Sequence, residues 1–147
     1  MFVVLDRVWS QLGRGGDRTL LVVDEAWWLM QYPDTARALL RIAKTARKRK
    51  TGLTVVTQDV PDVLASEYGE PIVTNAALQV LMRQAPQAMP RLARLCNLTE
   101  TEQAWLLNAR PGEGLLLAQG KRVPFFLPAS EEEARLIKHG ESLGGTE

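Results

Sequence analysis

The sequence is poor in the residues that build disulfide-rich or metal-rich proteins, since its 147 residues include one cysteine, Cys96, and one histidine, His139. A single cysteine cannot form an internal disulfide, which fits a reducing compartment, and a single histidine excludes a histidine-rich metal site. No apolar run approaches the roughly 18 residues that indicate a membrane-spanning helix. The apolar start at residues 1–5 is interrupted too early, by Asp6 and Arg7, to be a signal peptide.

The charge and composition favour an ordinary globular protein and indicate no particular partner. The formal net charge is +1, with 46% hydrophobic and 24% charged residues, as in typical soluble domains. At this length we expect the chain to form a single domain, residues 1–147, with a sizeable core.

The sequence also lacks the glycine-rich loop G-x-x-x-x-G-K-[ST], whose backbone N–H groups cradle nucleotide phosphates. The nearest Gly-Lys pair is Gly120 and Lys121, but Arg122 follows it and Leu115 stands where the first glycine belongs. Residues 13–19 contain three glycines but no lysine, which predicts a polar turn. The sequence therefore contains no phosphate-binding loop of this kind.

The most informative stretch that is present is residues 20–23, four apolar residues followed directly by Asp24 and Glu25. A short apolar run predicts a buried strand, and the ligands of parallel sheets bind just outside the carboxyl ends of the strands. An acidic pair at that position is typical of the Walker B element of P-loop NTPases, in which the aspartate holds Mg²⁺ and the glutamate orients the attacking water. The alternative is a strand that runs into a helix, where acidic side chains favour the amino-terminal end of the helix dipole.

The pattern after this strand predicts a β-α-β unit. Asp34 is a candidate N-cap for an amphipathic helix that continues to about Lys50, and Gly52 is a candidate C-cap. Residues 53–57 are rich in β-branched side chains and predict a second strand, which is followed by Gln58. A right-handed crossover would make the two strands parallel.

The other predicted elements are short helices and strands. They comprise helices at 2–12, 61–66, 88–95, after Thr99 and after Ser130, a turn at 68–71, a third strand at 78–82, and a hairpin of strands at 114–118 and 123–127. Thr99 and Ser130 are each followed three residues later by a glutamate, which is the capping-box signature.

The third predicted strand is followed by Arg83. Because parallel strands present their carboxyl ends at one edge of a sheet, we expect Arg83 to lie there with Gln58 and the acidic pair. The sequence thus predicts that two carboxylates, an amide and a guanidinium converge.

Three segments carry a family resemblance: Leu-Val-Val-Asp-Glu-Ala-Trp at 21–27, Ala-Arg-Lys-Arg-Lys-Thr-Gly-Leu at 46–53, and Val-Val-Thr-Gln-Asp at 55–59. With Gly-Glu-Gly-Leu-Leu at 112–116, they resemble the large VirB-type or TraC-like ATPases of type IV secretion and conjugation, within the HerA/FtsK superfamily of RecA-like motors. The resemblance corresponds to the carboxyl-terminal part of the ATPase domain, whose phosphate-binding loop lies upstream. It implies an α/β fold: a RecA-like P-loop NTPase sheet with flanking helices, without the Walker A segment, ending in a β-hairpin.

The resemblance implies roles for the polar residues that follow the first two strands. Asp24 resembles the Walker B aspartate and would position Mg²⁺, directly or through water. Glu25 resembles the catalytic base that polarises water, and Gln58 resembles the sensor of the γ-phosphate. The alternative for Gln58 is an ordinary polar group at a strand end.

The resemblance also implies roles for arginines. The basic segment before residue 51 matches the place where such hexameric motors carry an arginine finger, which stabilises charge at a neighbouring subunit's nucleotide. Arg49 is the first candidate and Arg47 the second, and Arg83 resembles a further arginine near the nucleotide. The alternative for the basic segment is a solvated helix end, where cations favour the dipole.

The implied protein is a motor that hydrolyses ATP with Mg²⁺ and drives assembly or substrate transfer at a secretion channel. The resemblance implies like subunits in a hexamer, other channel components as partners, and a cytoplasmic position at the bacterial inner membrane. Without the Walker A loop, the isolated chain is expected to hydrolyse ATP negligibly, so it is an enzyme only when that region completes it. Two alternatives are a non-catalytic docking module derived from such an ATPase and, less favoured, DNA binding through the basic face at 37–50.

Overall fold

The computed structural model describes residues 2–11 and 18–136. The elements are α1 (Phe2–Gln11), β1 (Thr19–Val23), α2 (Ala26–Met30), α3 (Pro33–Thr45), a 3-10 turn (Ala46–Arg49), β2 (Thr51–Val55), α4 (Val60–Ala65), α5 (Gly69–Asn75), β3 (Leu78–Leu81), α6 (Met89–Cys96), α7 (Glu100–Asn108), β4 (Glu113–Ala118) and β5 (Lys121–Phe126). Residues 131–136 are also helical. His139 and most of the predicted turn at 13–19 lie outside the described residues.

The predicted β-α-β unit is confirmed. Strands β1 and β2 form a parallel pair, with Leu21 opposite Leu53. The apolar face of α3 is buried in the first core cluster, in which Ala36 and Leu39 are fully buried and Leu53 packs at the margin. Because β1 and β2 are parallel, their carboxyl ends lie at the same edge of the sheet.

The ends of α3 differ from the prediction. Tyr32 is the N-cap and Pro33 begins the helix, so Asp34 lies in the first turn rather than at the cap. A proline suits this position because its missing N–H would have no partner in the first turn. At the other end Lys50 adopts the left-handed conformation, φ 53°, and stops the 3-10 turn, whereas Gly52 lies within β2. The Gly52 C-cap assignment was therefore wrong.

The turn predicted at 68–71 was also wrong, because α5 begins at Gly69. The Gly-Glu-Pro sequence resembles a turn, but proline is compatible with the first turn of a helix. Gly69 is needed for packing: a Cβ there would come within 1.8 Å of the Val63 carbonyl oxygen. The glycine thus lets α5 approach the end of α4 closely.

The second sheet is antiparallel, in the order β3-β4-β5. The predicted carboxyl-terminal hairpin is confirmed, and Pro124 lies on the edge strand β5, where a missing N–H is tolerated. The expectation that β3 runs parallel beside the first two strands was wrong, because β3 pairs with β4, Leu81 opposite Leu115. Both leucines are buried in a second core cluster, with Leu106, and this packing sets the strand's direction.

Each sheet has apolar side chains on an exposed face. On β1, Leu20 is 68% and Val22 55% exposed, and on β3, Leu78 is 59% and Val80 53% exposed. The members of each pair are two residues apart and so lie on one face of their strand. Large exposed apolar patches often mark interaction surfaces, and these two strand faces are candidates for one.

Candidate functional site

The site lies where β1 and β2 end. The backbone N–H of Val56 donates to the Val23 carbonyl at 2.8 Å, and the N–H of Ala26 donates to the Val56 carbonyl at 3.0 Å. These two bonds tie the strand ends together just as each strand gives way to polar residues. Asp24, Glu25 and Gln58 therefore leave the sheet at the same edge.

Glu25 and Gln58 are in direct contact although they are 33 residues apart in sequence. The side-chain amide of Gln58 donates from Nε2 to Glu25 Oε1 at 2.9 Å. Both side chains are exposed, so a ligand at this edge would reach them. The structure brings together the carboxylate and the amide that the sequence placed at one edge.

Glu25 has a second hydrogen-bond donor that sequence reasoning missed. The indole Nε1 of Trp27 donates to Glu25 Oε2 at 2.7 Å. Residues two apart do not face each other in a helix, so the spacing gave no signal of this contact. The one available signal was the tryptophan itself, because a tryptophan N–H usually finds an acceptor when its ring packs against a core.

The backbone of Glu25 explains the contact. Glu25 has φ 49° and ψ 46°, the left-handed conformation, at the N-cap position of α2. Its carboxylate makes no capping bond to the helix, while its own N–H donates to Asp24 Oδ1 at 2.8 Å. A non-glycine residue in this conformation costs about 1–3 kcal/mol, and such residues concentrate at functional sites.

Asp24 suits a magnesium ligand. Its carboxylate is exposed at the sheet edge, and carboxylate oxygen is the donor that Mg²⁺ prefers. In the described part of the chain no three acidic, histidine or cysteine side chains cluster as a metal cage. One or two carboxylates are enough, because Mg²⁺ at nucleotide sites is held mainly by phosphates and water.

The arginine candidates occupy different surroundings. The Arg49 guanidinium lies 3.9 Å from the centroid of the Trp9 ring, and its Nη1 donates to the Trp9 carbonyl at 3.0 Å. Arg41 lies 5.4 Å from the same ring. Arg49 therefore joins α1 to the end of α3, whereas Arg47 is exposed.

Arg83 follows a strand of the other sheet. Among the described residues the hydrogen-bond partners of the Glu25 carboxylate are Gln58 and Trp27, so the predicted approach of Arg83 to this edge stays a prediction. At the strand edge, Asp24, Glu25 and Gln58 are exposed. A surface depression of about 630 Å³ lies elsewhere, lined by Glu70, Arg91, Arg94 and Leu95.

The fold defines the class of protein: it is that of the P-loop ATPases. The structure of VirB4 of Thermoanaerobacter pseudethanolicus superposes with a TM-score of 0.80 and 37% sequence identity, over 90% of this chain and 37% of that one. The genome packaging NTPase B204 from Sulfolobus turreted icosahedral virus 2, solved in complex with AMP, superposes with a TM-score of 0.60 over 86% of this chain and 62% of its own. At 15% identity, that second likeness shows the fold alone.

The family is shown by sequence. The TraG P-loop domain family matches residues 2–113, so the chain belongs to that family. The type IV secretion system protein CagE of Helicobacter pylori is 32% identical over 87 residues, which are 59% of this chain and 9% of CagE. These likenesses confirm the resemblance to the VirB-type, TraC-like ATPases of type IV secretion, of which this chain corresponds to a segment.

The chain spans only part of each of these relatives, 37% of the VirB4 structure and 9% of CagE. No helix among the residues that the structure describes is long and apolar enough to cross a membrane.

Proposed function

We propose that this chain supplies the acidic half of the ATP-hydrolysing site of a type IV secretion motor. The observation that carries the proposal is the 2.9 Å hydrogen bond between Gln58 and Glu25 at the shared strand edge. It joins the two residues that the resemblance assigns to sensing the γ-phosphate and activating water. A helix-dipole explanation of the acidic pair does not account for it, because Glu25 makes no capping bond to α2.

Each residue then has a defined task. Asp24 holds Mg²⁺, directly or through water, and this ion neutralises charge that develops on the phosphates. Glu25 orients and polarises the attacking water, while Gln58 links the position of that carboxylate to the terminal phosphate. Phosphoryl transfer depends mostly on such positioning and on electrostatic stabilisation.

The arginine finger is proposed to come from the basic segment at the end of α3. Arg49 would have to leave the Trp9 ring to reach another subunit's nucleotide, whereas Arg47 is already exposed. This favours Arg47, the reverse of the order that the sequence suggested. The proposal includes assembly into a hexamer of like subunits, other secretion-channel components as partners, and a position at the cytoplasmic side of the inner membrane.

The proposal also limits what this chain does alone. No residue of the sequence supplies the loop amides and lysine that hold the β- and γ-phosphates. We therefore expect the 147-residue chain to release no phosphate from ATP. A second candidate, a docking module without catalysis, is favoured by the exposed apolar side chains of β1 and β3.

The test joins this chain to the phosphate-binding loop segment of a VirB4-like protein and measures phosphate release from ATP. Glu25→Gln keeps the size of the side chain and removes its charge, so turnover should fall at least about a hundredfold. Glu67→Gln, a matched change at an exposed glutamate away from the strand edge, should leave turnover unchanged. Equal turnover of the two variants would contradict the catalytic proposal and favour docking.

A further inference from the structure

We propose that Trp27 is a positioning residue of this site, whose indole N–H fixes the orientation of the Glu25 carboxylate. The inference rests on the proposed function, and it gives a role to a residue for which the family resemblance suggests none. The observation is the 2.7 Å bond from Trp27 Nε1 to Glu25 Oε2.

The two donors together define the plane of the carboxylate. Gln58 binds Oε1 and Trp27 binds Oε2, so neither oxygen can turn away without losing a charge-assisted hydrogen bond. A carboxylate held by one donor would still rotate about its last side-chain bond. An ionised carboxylate has about four lone-pair sites, so two remain on which a water can be placed.

Trp27 is a rigid donor because of where its ring lies. The ring is half buried and packs against the first core cluster, which fixes the direction of its N–H. Gln58, by contrast, is exposed on a flexible side chain. Trp27 thus holds one carboxylate oxygen in a fixed position relative to the core, while the exposed Gln58 side chain can move when a ligand binds.

The backbone is shaped for this contact. Residues i and i+2 do not meet across a regular helix start, and an N-cap carboxylate ordinarily accepts a backbone N–H of the first turn. Glu25 instead takes the left-handed conformation and makes no capping bond. In that conformation the Glu25 carboxylate lies beside the indole, so the strained backbone and the Trp27 contact occur together.

The contact can be measured on the 147-residue chain itself, by hydrogen exchange of the tryptophan indole N–H groups in NMR spectra. A charge-assisted bond should slow exchange of the Trp27 indole roughly tenfold or more. Glu25→Ala removes the acceptor oxygens, so it should abolish most of that protection and shift the Trp27 resonance, while Trp28, which is exposed and contacts Tyr32, should not change. A Trp27 indole that exchanges as fast as Trp28 in the folded chain would overturn the inference.

The positioning role requires a second readout in the ATPase completed with a phosphate-binding loop. Trp27→Phe keeps an aromatic ring and loses the donor, so kcat should fall about tenfold with KM unchanged, and Trp28→Phe should alter neither. In the Glu25→Gln background, Trp27→Phe should cause no further loss. A Trp27→Phe enzyme that melts like the parent and keeps its full kcat would refute the role.

The two failures are distinguishable. If Glu25→Gln strongly lowers turnover but Trp27→Phe does not, the positioning role is wrong and the proposed function stands. If Glu25→Gln leaves turnover unchanged, the proposed function fails and the catalytic meaning of the contact fails with it, even where exchange of the Trp27 indole is slow.

Discussion

Replacing each of the two candidate finger arginines, Arg47 and Arg49, with alanine should have clearly different effects on the stability of the protein. Arg49 stacks on the Trp9 ring at 3.9 Å and also donates to the Trp9 carbonyl. A cation–π contact contributes about 0.5–2 kcal/mol, depending on its exposure. A hydrogen bond from a charged donor contributes about 1.5–3 kcal/mol, less at this half-buried position.

Removing the Arg49 side chain should therefore lower the free energy of unfolding by about 2 kcal/mol. For a protein of this size, 1 kcal/mol corresponds to roughly 2–4 °C in Tm, so Arg49→Ala should melt about 4–8 °C below the parent. Arg47 is exposed, and such surface changes usually stay within about 0.5 kcal/mol. Arg47→Ala is thus the matched control, with a Tm within about 2 °C of the parent.

The stacking contribution can be isolated with a double-mutant cycle. Trp9→Leu removes the ring but keeps the carbonyl that Arg49 binds, so the coupling between Trp9→Leu and Arg49→Ala reports the ring contact alone. Thermal unfolding and urea titration on the four proteins should give a coupling of about 1 kcal/mol. Equal Tm values for Arg47→Ala and Arg49→Ala would refute the assignment of Arg49 to the α1 contact.

Three further predictions concern packing, association and reactivity. Gly69→Ala should destabilise the fold by about 3 kcal/mol or more in urea unfolding, because its Cβ would meet the Val63 carbonyl at 1.8 Å; Gly120→Ala, whose Cβ meets nothing within 4 Å, should cost only the strain of its φ of +77°, about 1–2 kcal/mol. We expect the exposed apolar face of β3 to make the chain self-associate, so Val80→Lys, at a position that is 53% exposed, should reduce that association in sedimentation velocity without lowering Tm; a parent chain and a variant that sediment alike would show that this face does not mediate contacts. Burial raises the pKa of the Cys96 thiol, so an alkylating reagent should label native Cys96 far more slowly at neutral pH than Cys96 in the urea-unfolded chain, and equal rates would contradict its burial.

The part of the site that depends on parallel strand geometry could be predicted from the sequence. An apolar strand followed by acidic residues, and a second strand in the same β-α-β unit, are enough to place Glu25 and Gln58 at one edge, and they are in hydrogen-bond contact. Trp27 could not be predicted, because its contact with Glu25 depends on a left-handed backbone at Glu25 that no glycine or asparagine signals. A local conformation of this kind is set by the tertiary structure.

The errors in the fold have a common cause in long-range packing. The strand at Leu78–Leu81 was predicted correctly, but a strand's own sequence does not state its partner. Its direction comes from β4, through buried leucines that lie more than thirty residues apart. The contact between Arg49 and Trp9 of α1 could not be predicted for the same reason, since only the folded chain places these two residues side by side.

The two halves of the proposed mechanism are held in different ways, and this bears on how the motor would be controlled. Glu25 is fixed within one β-α-β unit, by backbone bonds between strand ends and by two side-chain donors. Its geometry therefore needs no neighbouring subunit. The basic segment that ends at Arg49 instead contacts α1 at Trp9, through both the ring and the backbone carbonyl of that residue. A change in the position of α1 would alter the arginines without disturbing the carboxylate, so we expect subunit contacts to act on the finger and nucleotide to act on Gln58.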